Sequence, residues 1–332
     1  MLEDYKRPDV SLYYGKDKAD LYQAKWVNVI KPLNLNQAEF ETNARVRFAL
    51  LGFRCDKGVY INHGRAGAIE GPTAIRQRLF KLPWHLGREV QIFDAGDIEG
   101  VNRSLSQLQS SLAKAVQKLL DMHIFPIVLG GGHETAFGHY LGLSSHPRYS
   151  DKNVGVINID AHFDLRPYDE TGPNSGTGFR QMHDMNHQAG KAFNYLVMGI
   201  QEHANQLHLF DFVAKHAGLD FVTSLDIWNR GLNYSYQVID DFIAKVDHVY
   251  LTIDMDVFSM GIAPGVSAFQ PLGLNPQKVI PMLQHLAKSG KVIGFDIVEL
   301  SPPYDYDQHT ATLAAMLIFY LSQVLYQVTI DD

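Results

Sequence analysis

Apolar residues in this chain gather into short, nearly continuous runs rich in Val, Ile, Leu and Phe. Between the runs lie longer stretches in which apolar positions recur every three or four residues. The first pattern is that of strands buried on both faces, the second that of amphipathic helices. The runs predict strands over Val46–Phe53, Val90–Phe93, Ile124–Leu129, Val154–Ile159, Tyr195–Gly199, Phe221–Thr223, Val249–Ile253 and Val292–Val298. The spacing predicts helices over Pro72–Phe80, Leu105–Met122, Glu134–Leu143, Ala204–His216, Tyr236–Lys245, Pro276–Lys288 and Thr310–Val328. Such alternation calls for βαβ crossovers, and so for a three-layer α/β/α sandwich around a mainly parallel, eight-stranded sheet. With no repeat, low-complexity segment or flexible linker in view, residues 1–332 are expected to form a single domain. Residues 1–40 are expected to pack on it as a peripheral N-terminal arm.

Composition narrows the classes. The chain has 332 residues, 46% of them hydrophobic, enough for a large core. No run of about 18 consecutive apolar residues suits a membrane span, and the N-terminus lacks the apolar centre of a signal peptide. A single cysteine, Cys55, excludes an internal disulfide and a thiolate metal cage, and fits a reducing cytoplasm. The net charge is −7, and no Lys/Arg block resembles a nucleic-acid footprint. The expected partner is a small molecule, with neither nucleic acid nor membrane.

In an open parallel sheet, ligands bind outside the carboxyl ends of the strands. Four predicted strands end in ionisable groups: Gly130-Gly131-Gly132-His133-Glu134, Asp160-Ala161-His162-Phe163-Asp164, Asp254-Met255-Asp256 and Glu299-Leu300-Ser301-Pro302. Carboxylate oxygens with imidazole nitrogen suit a divalent cation such as manganese better than a thiolate-bound zinc. Were the second run fully extended, Asp160 and Asp164 would lie roughly 13 Å apart, too far to share one ion. The chain is therefore expected to leave the strand near Asp160 and curl back. Asp254 and Asp256 share a face, roughly 6–7 Å apart at the backbone. Such a pair can clamp two ions about 3.5–4 Å apart; without cations the carboxylates would repel, and burial would raise one pKa sharply. The plain alternatives are a polar loop for the Asp160–Asp164 run and a helix N-cap cluster for the pair, and convergence of four strand ends weighs against both. Gly130–Gly132 lacks the Lys-Ser/Thr of a P-loop and the spacing of a dinucleotide site. Glycines that let the backbone approach a metal cluster, with His133 as a ligand, fit better. Two Gly/Pro/Ser-rich loops, Pro167–Gly178 and Ser259–Gly273, follow motif-bearing strands and are expected to rim the site.

Together the pieces GGGHE (130–134), DAHFD (160–164), TIDMD (252–256) and DIVELSP (296–302) resemble the ureohydrolase family, which includes arginase, agmatinase and formiminoglutamase. The early glycine-rich stretch Asn62–Arg78 is also similar, and the resemblance spans roughly residues 45–325. It implies the arginase-like form of the sandwich and two Mn2+ per subunit. One ion would take His133, Asp160, Asp164 and Asp254, the other Asp160, His162, Asp254 and Asp256. Two divalent ions would return four positive charges and bring the holoprotein from −7 to near −3. The implied chemistry is hydrolysis of a C–N bond in an amidine-like group, with the metals lowering the pKa of a bridging water. Asp164 and Glu299 are then the catalytic candidates, Glu299 receiving the cationic amidinium or guanidinium. Members of the family commonly assemble, so a homo-oligomer is expected.

Departures from the pattern bear on the substrate. The family's loop histidine after the DAHxD run is absent; the segment reads Ser175-Gly176-Thr177-Gly178-Phe179-Arg180-Gln181. Arg180 offers a planar fork suited to a carboxylate, which a guanidino-amine substrate does not need. This segment and PGVSAFQPLGL (264–274) look like the formiminoglutamase versions of the pattern. The expectation is hydrolysis of N-formimino-L-glutamate, a dicarboxylate amidine, to L-glutamate and formamide, a step of histidine degradation. Arg180 is the first candidate for carboxylate binding, with Asn62 and Arg65 as further rim candidates. The rivals are another ureohydrolase acting on arginine, agmatine or a guanidino acid, a one-zinc deacylase of the same architecture, and a non-catalytic metal-dependent binding protein.

Overall fold

The computed structural model describes residues 1–13, 15, 20–37, 43–168, 170 and 172–331. Its strands are β1 (Tyr5–Lys6), β2 (Lys31–Pro32), β3 (Val46–Phe53), β4 (Val90–Ile98), β5 (Phe125–Leu129), β6 (Val154–Ile159), β7 (Tyr195–Ile200), β8 (Leu219–Thr223), β9 (His248–Asp254) and β10 (Val292–Val298). The α-helices are α1 (Trp26–Val29), α2 (Lys57–Ile61), α3 (Gly71–Leu79), α4 (Leu105–Asp121), α5 (Thr135–Ser144), α6 (Gly178–Gln188), α7 (Leu207–Lys215), α8 (Ser224–Ile243), α9 (Pro276–Ala287) and α10 (His309–Asp331).

Alternation along the strands splits the core into two layers, because successive side chains leave opposite faces of a sheet. Phe48 and Leu50 of β3, Ile157 and Ile159 of β6, and Leu251 and Ile253 of β9 pack on one face. Residues of α3, α8, α9 and α10 cover that face. Ala49, Leu51, Val156 and Tyr250 point the other way, under α4, α5, α6 and α7. Among these helices α10 is long and apolar enough to cross a membrane by length and composition. Ala314, Leu317, Ile318 and Leu321 are nevertheless buried in the core with α3 and α9.

The sheet has ten strands rather than eight, in the order β1-β4-β3-β5-β10-β9-β6-β7-β8, with β2 also on β4. The extra pair comes from the N-terminal arm: β1 lies antiparallel and β2 parallel on β4. Each is two residues long, too short to carry a periodic signal. Trp26, Ile30 and Leu35 of the arm are buried, so it is stitched to the sheet edge by ladder and core alike. Tyr14, Lys16–Ala19 and Ala38–Phe40 of the arm, and Asp169 and Thr171 of the first rim loop, lie outside the described residues.

Helices α1, α2, α6 and α8 differ from the expected pattern, the first two being too short to carry a periodic signal. Residues 178–188, for which the spacing predicts no helix and whose start reads as loop, form α6. A run of mixed polar residues after glycines hid its buried face, Phe179 and Met182. Helix α8 begins a dozen residues before Tyr236 and kinks at Gly231, whose φ of 78° breaks the helical path.

For the site, strand order matters most. The four motif-bearing strands are consecutive neighbours, β5-β10-β9-β6. Their parallel register pairs Leu129 with Ile297, Val298 with Asp254, and Ile253 with Ile159. Gly130, Glu299, Asp254 and Asp160 therefore emerge side by side at the centre of one sheet edge.

Candidate metal centre

The GGGH turn enters this edge under tight constraints. The Gly132 amide donates to the Cys55 carbonyl (3.0 Å) and the Glu299 amide to the Gly131 carbonyl (2.8 Å). A Cβ on Gly131 would stand 1.8 Å from the Cys55 oxygen, so only glycine passes here. The turn delivers His133, whose Nδ1 lies 3.1 Å from Asp160 Oδ2, 3.0 Å from Asp164 Oδ2 and 3.1 Å from Asp254 Oδ2. Strand β6 ends at Ile159 and the chain then curls, with Asp164 in the left-handed region at φ 46°, which returns its carboxylate to the cluster. A second group shares Asp160: His162 Nδ1 is 3.0 Å from Asp256 Oδ2 and 3.5 Å from Asp160 Oδ1. All six residues expected to bind metal thus converge, as a His133/Asp160/Asp164/Asp254 set and an Asp160/His162/Asp256 set.

The unmet valences of the donor set suit cations. His133 Nδ1 faces three carboxylate oxygens at once, and Asp256 Oδ1 and Glu299 Oε2 are buried without a hydrogen-bond partner. Buried polar atoms are rarely left so, and a divalent ion satisfies the imidazole nitrogen and the carboxylate oxygens together. Electrostatics point the same way. Burial, then Asp256 and Asp160, push the Asp254 carboxyl well above its usual range. Burial and Asp160 raise Asp256 to about 6, although His162 pulls it down. Burial opposes ionisation of Asp160 as well, but hydrogen bonds with His133 and His162 hold it below the usual range. Burial also disfavours the charged form of both histidines, and their carboxylate partners still raise them well above 6.5. A cation at these atoms would balance the buried acids in place of protons. The residues fit two hard divalent ions.

Supporting contacts orient the ligands. Asp160 accepts from the His162 amide (2.7 Å) and from Asn158 Nδ2 (2.9 Å), and Asp254 accepts from the Asp256 amide (2.7 Å). Glu299 sits at φ 64°, a strained conformation for a side chain larger than glycine. Its Oε1 accepts from the His133 amide (2.8 Å). Burial, then Asp254 and Glu134, push Glu299 well above the usual carboxyl range. The Gln270 amide lies 3.4 Å from His162 Nε2. Rotated by half a turn, its unpartnered oxygen would accept the Nε2 proton and leave Nδ1 for a cation.

Above the cluster is a cavity of about 300 Å³, lined by Asp164, Asp254, Asp256, His162 and Glu299 below. Asn62, His63, Arg65, Arg166, Ser175 and Ser267 complete its wall. Arg65 donates through Nε to the Ser267 carbonyl (2.9 Å) and through Nη2 to the Val266 carbonyl (2.6 Å), with its guanidinium 4.1 Å from the Tyr304 ring centre. Arg166 Nη1 donates to Asn62 Oδ1 (2.6 Å), and Asn62 Nδ2 to Ser175 Oγ (3.0 Å).

Arg180 does not join them. Its Nε pairs with Asp184 one helical turn on (3.0 Å), its guanidinium lies 4.5 Å from the Phe212 ring centre, and it is absent from the cavity lining. The SGTGFRQ segment reaches the metal cluster through Phe179 instead, buried edge-on to the His133 ring at 5.2 Å and stacked on Tyr195. Adjacent positions on a helix point about 100° apart, so Phe179 facing the core turns Arg180 outward. Sequence reasoning missed Arg166, although it stands two residues past Asp164. It also missed Glu134, whose buried carboxylate accepts from the Gly58 amide (2.7 Å) and ties the GGGHE turn to α2.

A parallel α/β sandwich with two adjoining His/Asp clusters at the central strand ends defines a binuclear metal centre of the arginase type. The arginase family model matches residues 46–323, and the chain belongs to that family. It is 59% identical over 328 residues to the formimidoylglutamase of Streptococcus gordonii, covering 99% of each chain. It is 56% identical over 327 residues to that of Streptococcus pyogenes serotype M49, covering 98% of this chain and 99% of the relative. Among solved structures, formimidoylglutamase from Bacillus subtilis superposes with a TM-score of 0.80 over 94% of this chain and 95% of that one; at 23% identity this likeness speaks for the fold. Trypanosoma cruzi formiminoglutamase with Mn2+2 superposes with a TM-score of 0.75 at 27% identity, over 89% of this chain and 98% of that one.

Proposed function

We propose that this chain hydrolyses N-formimino-L-glutamate to L-glutamate and formamide, with two Mn2+ in the His133/Asp160/Asp164/Asp254 and Asp160/His162/Asp254/Asp256 sets. In the balanced reaction, water oxygen bonds to the formimino carbon, the bond from that carbon to the glutamate nitrogen breaks, and the leaving amine takes a proton. Bound at these residues, the ion pair supplies a water nucleophile near neutral pH and Lewis acidity toward the carbon's substituents. The chain's own residues do the rest. Glu299 Oε1 is committed to the His133 amide, which leaves the unpartnered Oε2 to receive an N–H of the cationic formimino group. Asp164 holds the curl after β6 and belongs to the first cation set.

The observation that carries the reading is the cavity's polarity: carboxylates at the floor and two arginines, Arg65 and Arg166, in the wall. A substrate cationic at one end and dicarboxylate at the other matches it, whereas agmatine would meet the arginines with its own charge. Carboxylate recognition falls to Arg65 and Arg166, with Asn62 holding Arg166, in place of Arg180. Identity of 59% to a full-length formimidoylglutamase supports the same substrate. The lone cysteine, Cys55, is buried and free, in keeping with a cytoplasmic enzyme.

The test is a turnover panel with Mn2+-reconstituted protein, reading formamide from formiminoglutamate against urea from arginine, agmatine and guanidino acids. Formamide release should dominate. Arg65→Ala and Arg166→Ala should each raise KM by about tenfold or more, with smaller effects on kcat, as expected when ground-state and transition-state binding are lost together. Urea release equal to or above formamide release would overturn the substrate assignment.

A further inference from the structure

A buried polar thread runs from the metal centre into the layer between the sheet and α5. His133 Nε2 lies 3.0 Å from Thr252 Oγ1, and Thr252 Oγ1 lies 2.5 Å from Asp296 Oδ1. Thr252 and Asp296 are register partners on the adjacent parallel strands β9 and β10, so the sheet itself sets this contact. Asp296 Oδ2 accepts from the Tyr250 hydroxyl and from His139 Nδ1 (2.7 Å), the latter projecting from α5. Burial, then Asp296, push the Tyr250 hydroxyl well above its usual pKa, which keeps it a donor. All five residues are buried, and among the described residues Asp296 has no Lys or Arg partner. The site of His139 is reserved: a Cβ on Gly294 would stand 3.0 Å from His139 Nε2.

The direction of each hydrogen bond follows from chemistry. An ionised carboxylate only accepts, so the single Thr252 hydroxyl hydrogen is committed to Asp296. The Thr252 oxygen then has only lone pairs for His133, and the facing Nε2 must carry a hydrogen. In the opposite tautomer two lone pairs would meet at 3.0 Å in a dry interior. The proton that a cation displaces is therefore the one at Nδ1, the atom facing Asp160, Asp164 and Asp254.

We propose that Asp296 is a positioning residue for the metal centre: through Thr252 it fixes the His133 ring with Nε2–H toward Thr252 and Nδ1 toward the three carboxylates as the atom offered to a cation, while His139 and Tyr250 hold Asp296 in place. The thread holds the His133 ring in the orientation a cation needs before any substrate arrives, and its removal frees the ring to turn.

The test titrates apoprotein with Mn2+ by isothermal calorimetry, comparing wild type with Thr252→Val, Thr252→Ser and Asp296→Asn. Thr252→Val keeps the shape and removes the relay; Thr252→Ser keeps the hydroxyl. The first and third variants should weaken one of the two Mn2+ binding steps about 10–100-fold, the range usual for lost orienting contacts behind a metal ligand. Activity should return at saturating Mn2+, and Thr252→Ser should stay within about threefold of wild type. The double variant Thr252→Val/Asp296→Asn should be little worse than the worse single one, because both break one chain of contacts. Wild-type Mn2+ affinity in Thr252→Val, or equal weakening in Thr252→Ser, would overturn the proposal. If Asp296→Asn does not fold, the Val/Ser pair at Thr252 decides it alone.

Discussion

Stripping the cations should make the stability of this protein fall as pH rises, and the size of the effect follows from the site. In the apoprotein the buried Asp256 carboxyl has its pKa raised from 3.8 to about 6. A raised acid is protonated more readily in the folded than in the unfolded chain, so below pH 3.8 it costs nothing. Above the folded value it opposes folding in full. At 1.36 kcal/mol per pKa unit the cost between those limits is about 3 kcal/mol. Asp254 and Glu299, raised for the same reason of burial, act in the same direction. His133 and His162 do too: raised by their carboxylate partners, they stabilise the folded state below about 6.5 and lose that contribution as pH rises through their folded values. Asp160, lowered, contributes evenly above pH 4 and does not alter the trend. For 332 residues the unfolding entropy is about 0.7 kcal/mol/K, so Asp256 alone corresponds to roughly 4 °C in Tm. The assay is calorimetric unfolding of EDTA-treated wild type and Asp256→Asn at pH 5 and pH 8, with a Mn2+-loaded control. About half of this cost is already present at pH 5, so between the two pH values wild-type apoprotein should lose about 2 °C relative to Asp256→Asn. At pH 8 the apo variant should be the more stable of the two, because the substitution removes a charge that only a cation compensates. Mn2+ should abolish the wild-type loss. Equal pH slopes in apo wild type and Asp256→Asn would refute the reasoning.

Two further outcomes follow. Arg180→Ala should leave KM for formiminoglutamate within about twofold of wild type in steady-state kinetics, since it pairs with Asp184 away from the cavity, a partly exposed pair worth about 1 kcal/mol or less of stability; a tenfold rise would return this arginine to the substrate site. Gly131→Ala should cost about 3 kcal/mol or more in urea unfolding and weaken Mn2+ binding, because its Cβ would meet backbone at 1.8 Å; wild-type values in both would mean that the GGGH turn relaxes freely.

What the amino-acid sequence alone determined is the part of this protein written in local signals. Continuous apolar runs placed the eight long strands within a few residues, apart from the five-residue extension of β4 to Ile98. Acids and histidines at strand ends, with the family resemblance, marked the six residues that converge in the two His/Asp clusters, because a group at a strand terminus needs only its own neighbours to be recognised. The tertiary structure decided everything that depends on which segments become neighbours. Strand order is one such matter: Asp160 meets Asp254 only because β9 inserts beside β6, and crossover choice leaves no mark in either run. The two-residue strands of the arm exist only against β4. Asp296 looked like part of a strand motif until the register set it against Thr252 and α5 brought His139 to it. Arg180 and Arg166 show the limit most plainly. Both are arginines in polar segments after the DAHFD run, indistinguishable by chemistry. The burial of Phe179 against His133 turns one outward to Asp184, while Asn62, more than 100 residues away in sequence, holds the other at the cavity wall. Composition names the groups able to bind a carboxylate; packing of the helix face selects which of them reaches it.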